Sequence, residues 1–140
     1  MHLPRCAVGL TYYGEPVPTD VQKAADGRLL VTTEGGGLGE QMPLGALYRI
    51  KGHKPVQVVG GLSAPIGLAV NRRGDVFVSQ LFGHAISKIK RGSHHTRTYA
   101  DVNMPGALDW RHGHLYATTD VLVGLEPGGH PGGKVVRFRR

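Results

Sequence analysis

The chain has 140 residues, of which 22 are glycine and nine proline, with 40% hydrophobic and only 19% charged residues. That apolar fraction is too high for a disordered chain, and so many turn formers leave only short segments between turns, which favours an all-β fold. The net charge of +7 is spread over turns and the tail without interleaved aromatics, which argues against nucleic-acid binding. No stretch approaches the roughly twenty apolar residues of a membrane span.

Read from the N-terminus, the first ten residues lack an apolar core of signal-peptide length, and Ala7–Tyr13 is predicted as an isolated strand. A repeat then begins. Pro18-Thr-Asp-Val, Pro65-Ile-Gly-Leu-Ala-Val and Pro105-Gly-Ala-Leu-Asp-Trp each open a short apolar strand, 47 and 40 residues apart. Each opening is followed by a turn centred on Gly27, Gly74 or Gly113 and a second strand, ending near Thr32, Ser79 and Thr118. Third strands are predicted at Ala46–Ile50, Ala85–Ile89 and Lys134–Phe138, and fourth strands at Pro55–Val59 and Thr96–Ala100. A four-stranded antiparallel unit of about 40 to 50 residues in tandem is the pattern of a β-propeller blade. A sandwich would not place the same turn and strand chemistry three times in one order.

The expected organisation is therefore a single partial propeller over residues 1–140. Residues 1–14 hold a strand of a preceding or closing blade, and the blades occupy 15–62, 63–103 and 104–140, the last lacking its outermost strand. Propellers close with four to eight blades. Either an N-terminal half of the ring precedes this chain, or two copies join head to tail and each N-terminal strand completes the partner's last blade.

In a propeller the loops from fourth to first strand and from second to third strand share one face. Function gathers on such loops. Thr33–Gly45 and Thr119–Gly133 are long and glycine-rich, whereas Gln80–His84 is short, which suggests a shaped rim. Glu34, Leu81 and Asp120 are equivalent positions two residues past the second strand, and Asp20 is close to them in the pattern. These carboxylates are candidates for a Ca²⁺ site, with Glu34 and Asp120 its main ligands; the alternative is that they cap turn amides. Gln80 and Phe82 are candidate ligand contacts, and His84 is the histidine best placed to act as a base. No serine, cysteine or aspartate stands at a spacing that supports nucleophilic catalysis. His94-His95 and His112-Gly-His114 fall in turns away from the channel, and Trp110, ending an inner strand, is expected to be largely buried.

The details resemble the ScyD/ScyE family of the scytonemin gene cluster, whose members look like six-bladed NHL-type propellers. Pro16-Val-Pro-Thr-Asp20 and Thr33-Glu-Gly-Gly-Gly-Leu-Gly39 are similar to the family's fourth blade, Leu62-Ser-Ala-Pro-Ile-Gly-Leu-Ala-Val70 to its fifth, and Pro105–Trp110, Leu115–Asp120 and Pro131–Arg137 to its closing blade. The resemblance implies the C-terminal half of a six-bladed ring and a non-catalytic module that binds a small molecule or protein. It also implies an extracytoplasmic or secreted protein, since family members usually begin with a secretion signal. The other reading is a metal-dependent enzyme of the lactonase or streptogramin-lyase kind, built on a similar repeat.

Overall fold

The computed structural model describes residues 17–36 and 42–139; the strand expected at Ala7–Tyr13 lies outside them. The described residues form an all-β structure of three antiparallel sheets. The first holds β1 (Pro18–Lys23), β2 (Leu29–Thr33), β3 (Gly45–Lys51) and β4 (Lys54–Leu62) in that order. The second repeats it with β5 (Pro65–Val70), β6 (Val76–Gln80), β7 (Ala85–Ile89) and β8 (Arg97–Asp101). The third has β9 (Leu108–Arg111), β10 (His114–Thr119) and β11 (Lys134–Phe138). Consecutive strands pair within each sheet, and the three opening strands contact one another in the order β1, β5, β9, as inner strands of neighbouring blades do. No helix among the described residues is long and apolar enough to cross a membrane.

Why these segments become strands is plain in β6, where Val76-Phe-Val-Ser79 is buried on both faces of the sheet. Its blade is sandwiched between the other two. By contrast β10 alternates buried and partly exposed residues along His114–Thr119, so only one face of the third sheet is covered. On the adjoining β11, Val135 is 76% exposed. Two cores fill the gaps between blades. Leu30, Leu47, Leu68, Val78 and Ile89 form an aliphatic layer between the first and second, while Phe77, Ile86, Leu108 and Leu115 lie between the second and third.

The blades are also tied by hydrogen bonds from one position of the repeat. The Ser79 hydroxyl donates to the Gly106 carbonyl of the third blade at 2.5 Å. One blade earlier the same link runs through a relay: Thr19 Oγ1 donates to the Pro65 carbonyl at 2.7 Å and lies 2.9 Å from the hydroxyl of Thr32, the counterpart of Ser79. Thr118 stands at this position in the third blade. It accepts from the Ala107 amide at 2.8 Å, and its proton has no acceptor among the described residues.

Backbone approach at these links is close enough to require glycine. A Cβ on Gly67 would collide with the Gly106 carbonyl oxygen and sit 2.8 Å from Ser79 Oγ. Gly74 has φ +86°, which a Cβ would oppose, and its substituent would also meet Arg91 Cδ at 2.8 Å. Trp110 corrects the sequence expectation. It is only partly buried, because it closes β9 at the outer edge of the second core rather than at its centre.

Gly67→Ala is expected to destabilise the protein by about 2 kcal/mol or more, and Gly74→Val by about 1 kcal/mol or more. Urea unfolding followed by circular dichroism measures both. Unchanged stability in Gly67→Ala would mean that the second and third blades do not approach as described.

Candidate functional site

Each blade carries the same strained junction on the rim face. The residues before the three opening prolines, Val17, Ala64 and Met104, have φ of 61°, 49° and 41°. Left-handed backbone is unfavourable for residues with a Cβ, by about 1–2 kcal/mol, and worst for a β-branched one such as Val17. The strain has a repeated partner. The flipped carbonyl of Val17 accepts the Glu34 amide at 2.9 Å, that of Ala64 the Leu81 amide at 3.0 Å, and that of Met104 the Val121 amide at 3.3 Å. Thus each opening is clipped to the segment leaving the second strand, and the rim is built from three such clips.

The second strands run one residue further than the sequence suggests, ending at Thr33, Gln80 and Thr119. Glu34, Leu81 and Asp120 therefore follow their strands directly. The structure places the six candidate residues as follows. Asp20 spends both carboxylate oxygens on backbone, one accepting from its neighbour Val21 at 2.7 Å and the other from Leu68 on the next blade at 2.8 Å. Gln80 is a latch, with Oε1 accepting from the Ser63 amide at 2.8 Å and Nε2 donating to Ser87 Oγ at 2.7 Å.

Asp120 takes φ 54° and accepts from Asn103 Nδ2 at 2.8 Å and Thr119 Oγ1 at 3.2 Å, with Lys134 Nζ 3.4 Å away. The Asn103 bond, aided by Lys134 and Thr119, holds this carboxyl below its ordinary value. His84 also has positive φ, 49°, and its Nδ1 accepts from the Met104 amide at 3.3 Å, joining the rim of the second blade to the opening of the third. Nε2 makes no hydrogen bond among the described residues.

Glu34 and Phe82 differ from these four. Both are partly exposed, and the Glu34 carboxylate makes no hydrogen bond or ion pair among the described residues. Among the described residues no three histidine, cysteine, aspartate or glutamate side chains come together in a group able to hold a metal ion. The rim geometry is a frame of backbone and polar clips, with Glu34, Phe82 and the Nε2 edge of His84 unengaged by it.

On the opposite face the sequence reading missed a different cluster. Phe77 stacks on Trp110, with ring centroids 5.6 Å apart, and meets Tyr99 edge-on at 5.0 Å. Lys88 Nζ lies 5.6 Å over the Phe77 ring and 3.3 Å from Asp75. Asp75 in turn accepts from the Arg91 amide at 3.1 Å and Asn71 Nδ2 at 3.3 Å. Its burial alone would raise its pKa; the Arg91, Asn71 and Lys88 interactions outweigh that and leave it lowered. These aromatics are far apart in sequence, and only the register of β6, β8 and β9 brings them together.

No protein-family model matches the chain, and no curated protein sequence matches it either. Solved structures do resemble it. Regucalcin from Agrobacterium tumefaciens, described as a calcium-binding protein, superposes with a TM-score of 0.63 at 13% identity, over 73% of this chain and 38% of its own. The nidogen/laminin complex gives 0.62 at 15% identity, over 76% and 40%. Virginiamycin B lyase from Staphylococcus aureus gives 0.56 at 14% identity, over 86% and 40%. The chain thus spans about two fifths of each of these longer proteins.

Carboxylates whose pKa is lower in the folded than in the unfolded protein stabilise fully above the unfolded value and lose that contribution as pH falls through the folded one. Asp26, Asp75 and Asp120 are all lowered from 3.8. The melting temperature is therefore expected to hold from neutral pH down to about 4 and to drop below it. Asp75→Asn should flatten that drop, and an acid limb as steep as in the parent would contradict the role given to Asp75. The described part of the chain is a run of β-propeller blades, built on the fold that regucalcin and virginiamycin B lyase share.

Proposed function

We propose that this chain is a non-catalytic, ligand- or protein-binding propeller module of the ScyD/ScyE type, working as part of a closed six-bladed ring. The observation that carries the proposal is the commitment of the rim's polar side chains. Asp20, Gln80 and Asp120 spend their polar atoms on Leu68, Ser63, Ser87 and Asn103, and His84 turns one nitrogen to the Met104 amide. A general base or metal ligand needs a free atom aimed at open space. Of the six only Glu34 keeps an unengaged carboxylate, outside any group of three metal-ligating side chains among the described residues; with Phe82 and the outer edge of His84 it supplies contact surface, and the ligand is a small molecule or protein seated on that face.

The uncovered face of the third sheet supports the ring. Interblade packing buries both faces of β6, whereas β10 is covered on one, and Thr118 holds a hydroxyl proton where Ser79 bonds the next blade. A further blade packed there would bury Val135 and supply Thr118 with a carbonyl. Its source would be an N-terminal half of the ring or a second copy of this chain, and the ScyD/ScyE resemblance is the ground for proposing an extracytoplasmic or secreted assembly.

The second reading is a metal-dependent lactonase- or lyase-like enzyme. It draws on the unengaged Glu34 carboxylate, which with Asp120 would hold a Ca²⁺ ion, and on neighbours named as a calcium-binding protein, a putative gluconolactonase and a lyase. Metal analysis and lactone and streptogramin turnover assays on the parent and on Glu34→Gln/Asp120→Asn separate the two. The binding module predicts no turnover and no retained metal in either protein. Turnover or stoichiometric Ca²⁺ lost in the double variant would establish the enzyme.

A further inference from the structure

The face opposite the rim carries a cleft of about 380 Å³ where the second and third blades diverge, lined by Phe77, Tyr99, Trp110, Lys88, Arg72 and Arg73. Its walls are aromatic only at this junction. The positions that Phe77, Tyr99 and Trp110 occupy are filled by Leu30, Val58 and Val70 at the junction of the first and second blades. There His94 Nδ1 contacts the Val58 carbonyl at 2.9 Å, so the turn after β7 leans across the outer strand. Between the second and third blades the larger aromatic side chains leave an open slot. Trp110 and Tyr99 remain partly exposed in it, whereas Phe77 beneath them is 1% exposed.

The electrostatics of the slot have one sign. Arg72 and Arg73, exposed on the turn between β5 and β6, make no ion pair among the described residues. Asp75, beside the slot, is already satisfied by Lys88, Asn71 and the Arg91 amide. Past Tyr99 a second hollow of about 350 Å³ adds Lys90 and Arg97. Aromatic walls attract a flat ring through stacking, and paired guanidinium groups bind carboxylate or phosphate in a fork. A neutral or cationic guest would leave the arginines unanswered.

We propose that this cleft is a binding site for a small planar aromatic anion, a ring of nucleobase or benzoate size carrying a phosphate or carboxylate. The ring lies against Trp110 and Tyr99, and its anionic group meets Arg72 and Arg73, with Lys88 holding the floor through its contact with Phe77. The site is separate from the rim, so the proposal stands or falls independently of the function assigned there.

Trp110 is the single tryptophan of the chain, so its indole N–H gives one reporter signal in a nitrogen-15 NMR spectrum of the whole protein. Adenosine monophosphate and 4-hydroxybenzoate are titrated against it, with adenosine, benzyl alcohol and inorganic phosphate as controls. At least one of the two anions is expected to move the Trp110 signal with saturation and a Kd of about 1 mM or tighter. Each control should bind at least about tenfold more weakly. Arg72→Ala/Arg73→Ala, changes on an exposed turn, should weaken binding by about tenfold. Tyr99→Leu should weaken it while the indole signal shows the fold intact, and Lys51→Ala, away from the cleft, should leave it unchanged. No movement with either anion up to about 10 mM, or equal movement in the double arginine variant, would overturn the proposal.

Discussion

Everything in this structure rests on how the inner end of one blade is fastened to the next. The hydroxyl near the end of a second strand reaches the opening carbonyl of the following blade, directly from Ser79 to Gly106 and through Thr19 from Thr32 to Pro65. A hydrogen bond of this kind is worth only about 1 kcal/mol net, but leaving its buried partners unpaired costs more. Its real effect is geometric. It holds blade against blade at the spacing where Gly67 alone fits, and the apolar layers between sheets follow from that spacing. The rim and the cleft are the two ends of the same wedge, and both inherit their shape from it.

On the rim, backbone strain recurs at one position of each blade. Val17, Ala64 and Met104 hold left-handed backbone so that their carbonyls can reach the segment leaving the second strand. This arrangement ties each opening to the segment leaving the second strand. Polar side chains of the rim add further ties. Asp20 joins two blades, Gln80 secures the connection before the second, and Asp120 with Asn103 anchors the long loop of the third.

Much of the fold was legible in the residues. The recurring proline openings and the turns at Gly27, Gly74 and Gly113 mark positions that only particular backbone conformations satisfy, and local conformation is what a sequence expresses directly. The third strands Ala85–Ile89 and Lys134–Phe138 were readable to the residue. Less legible were the second-strand ends, where a bulge between Pro65 and Gly67 lets pairing continue one residue further. The candidate site was legible in place but not in role. Glu34 and Asp20 look alike as carboxylates near a strand end, and only the approach of Leu68 shows that one of them is a structural clip. The aromatic cleft had no sequence signal at all. Phe77, Tyr99 and Trp110 belong to three strands of two blades, and their meeting is a product of register.

The described residues form a stack of wedges, and the outward face of the third sheet is uncovered among them. We propose that the ring continues beyond the third sheet, with a further strand paired to the free edge of β11. Residue-resolved hydrogen exchange on the native species tests it most directly, at the amides of Lys134–Phe138 that have no acceptor in β10. These outward amides are expected to be protected to the same degree as those paired with β10, by hydrogen bonds to that further strand. Exchange at the rate of a free peptide, in a species whose β5 to β8 amides stay protected, would contradict it.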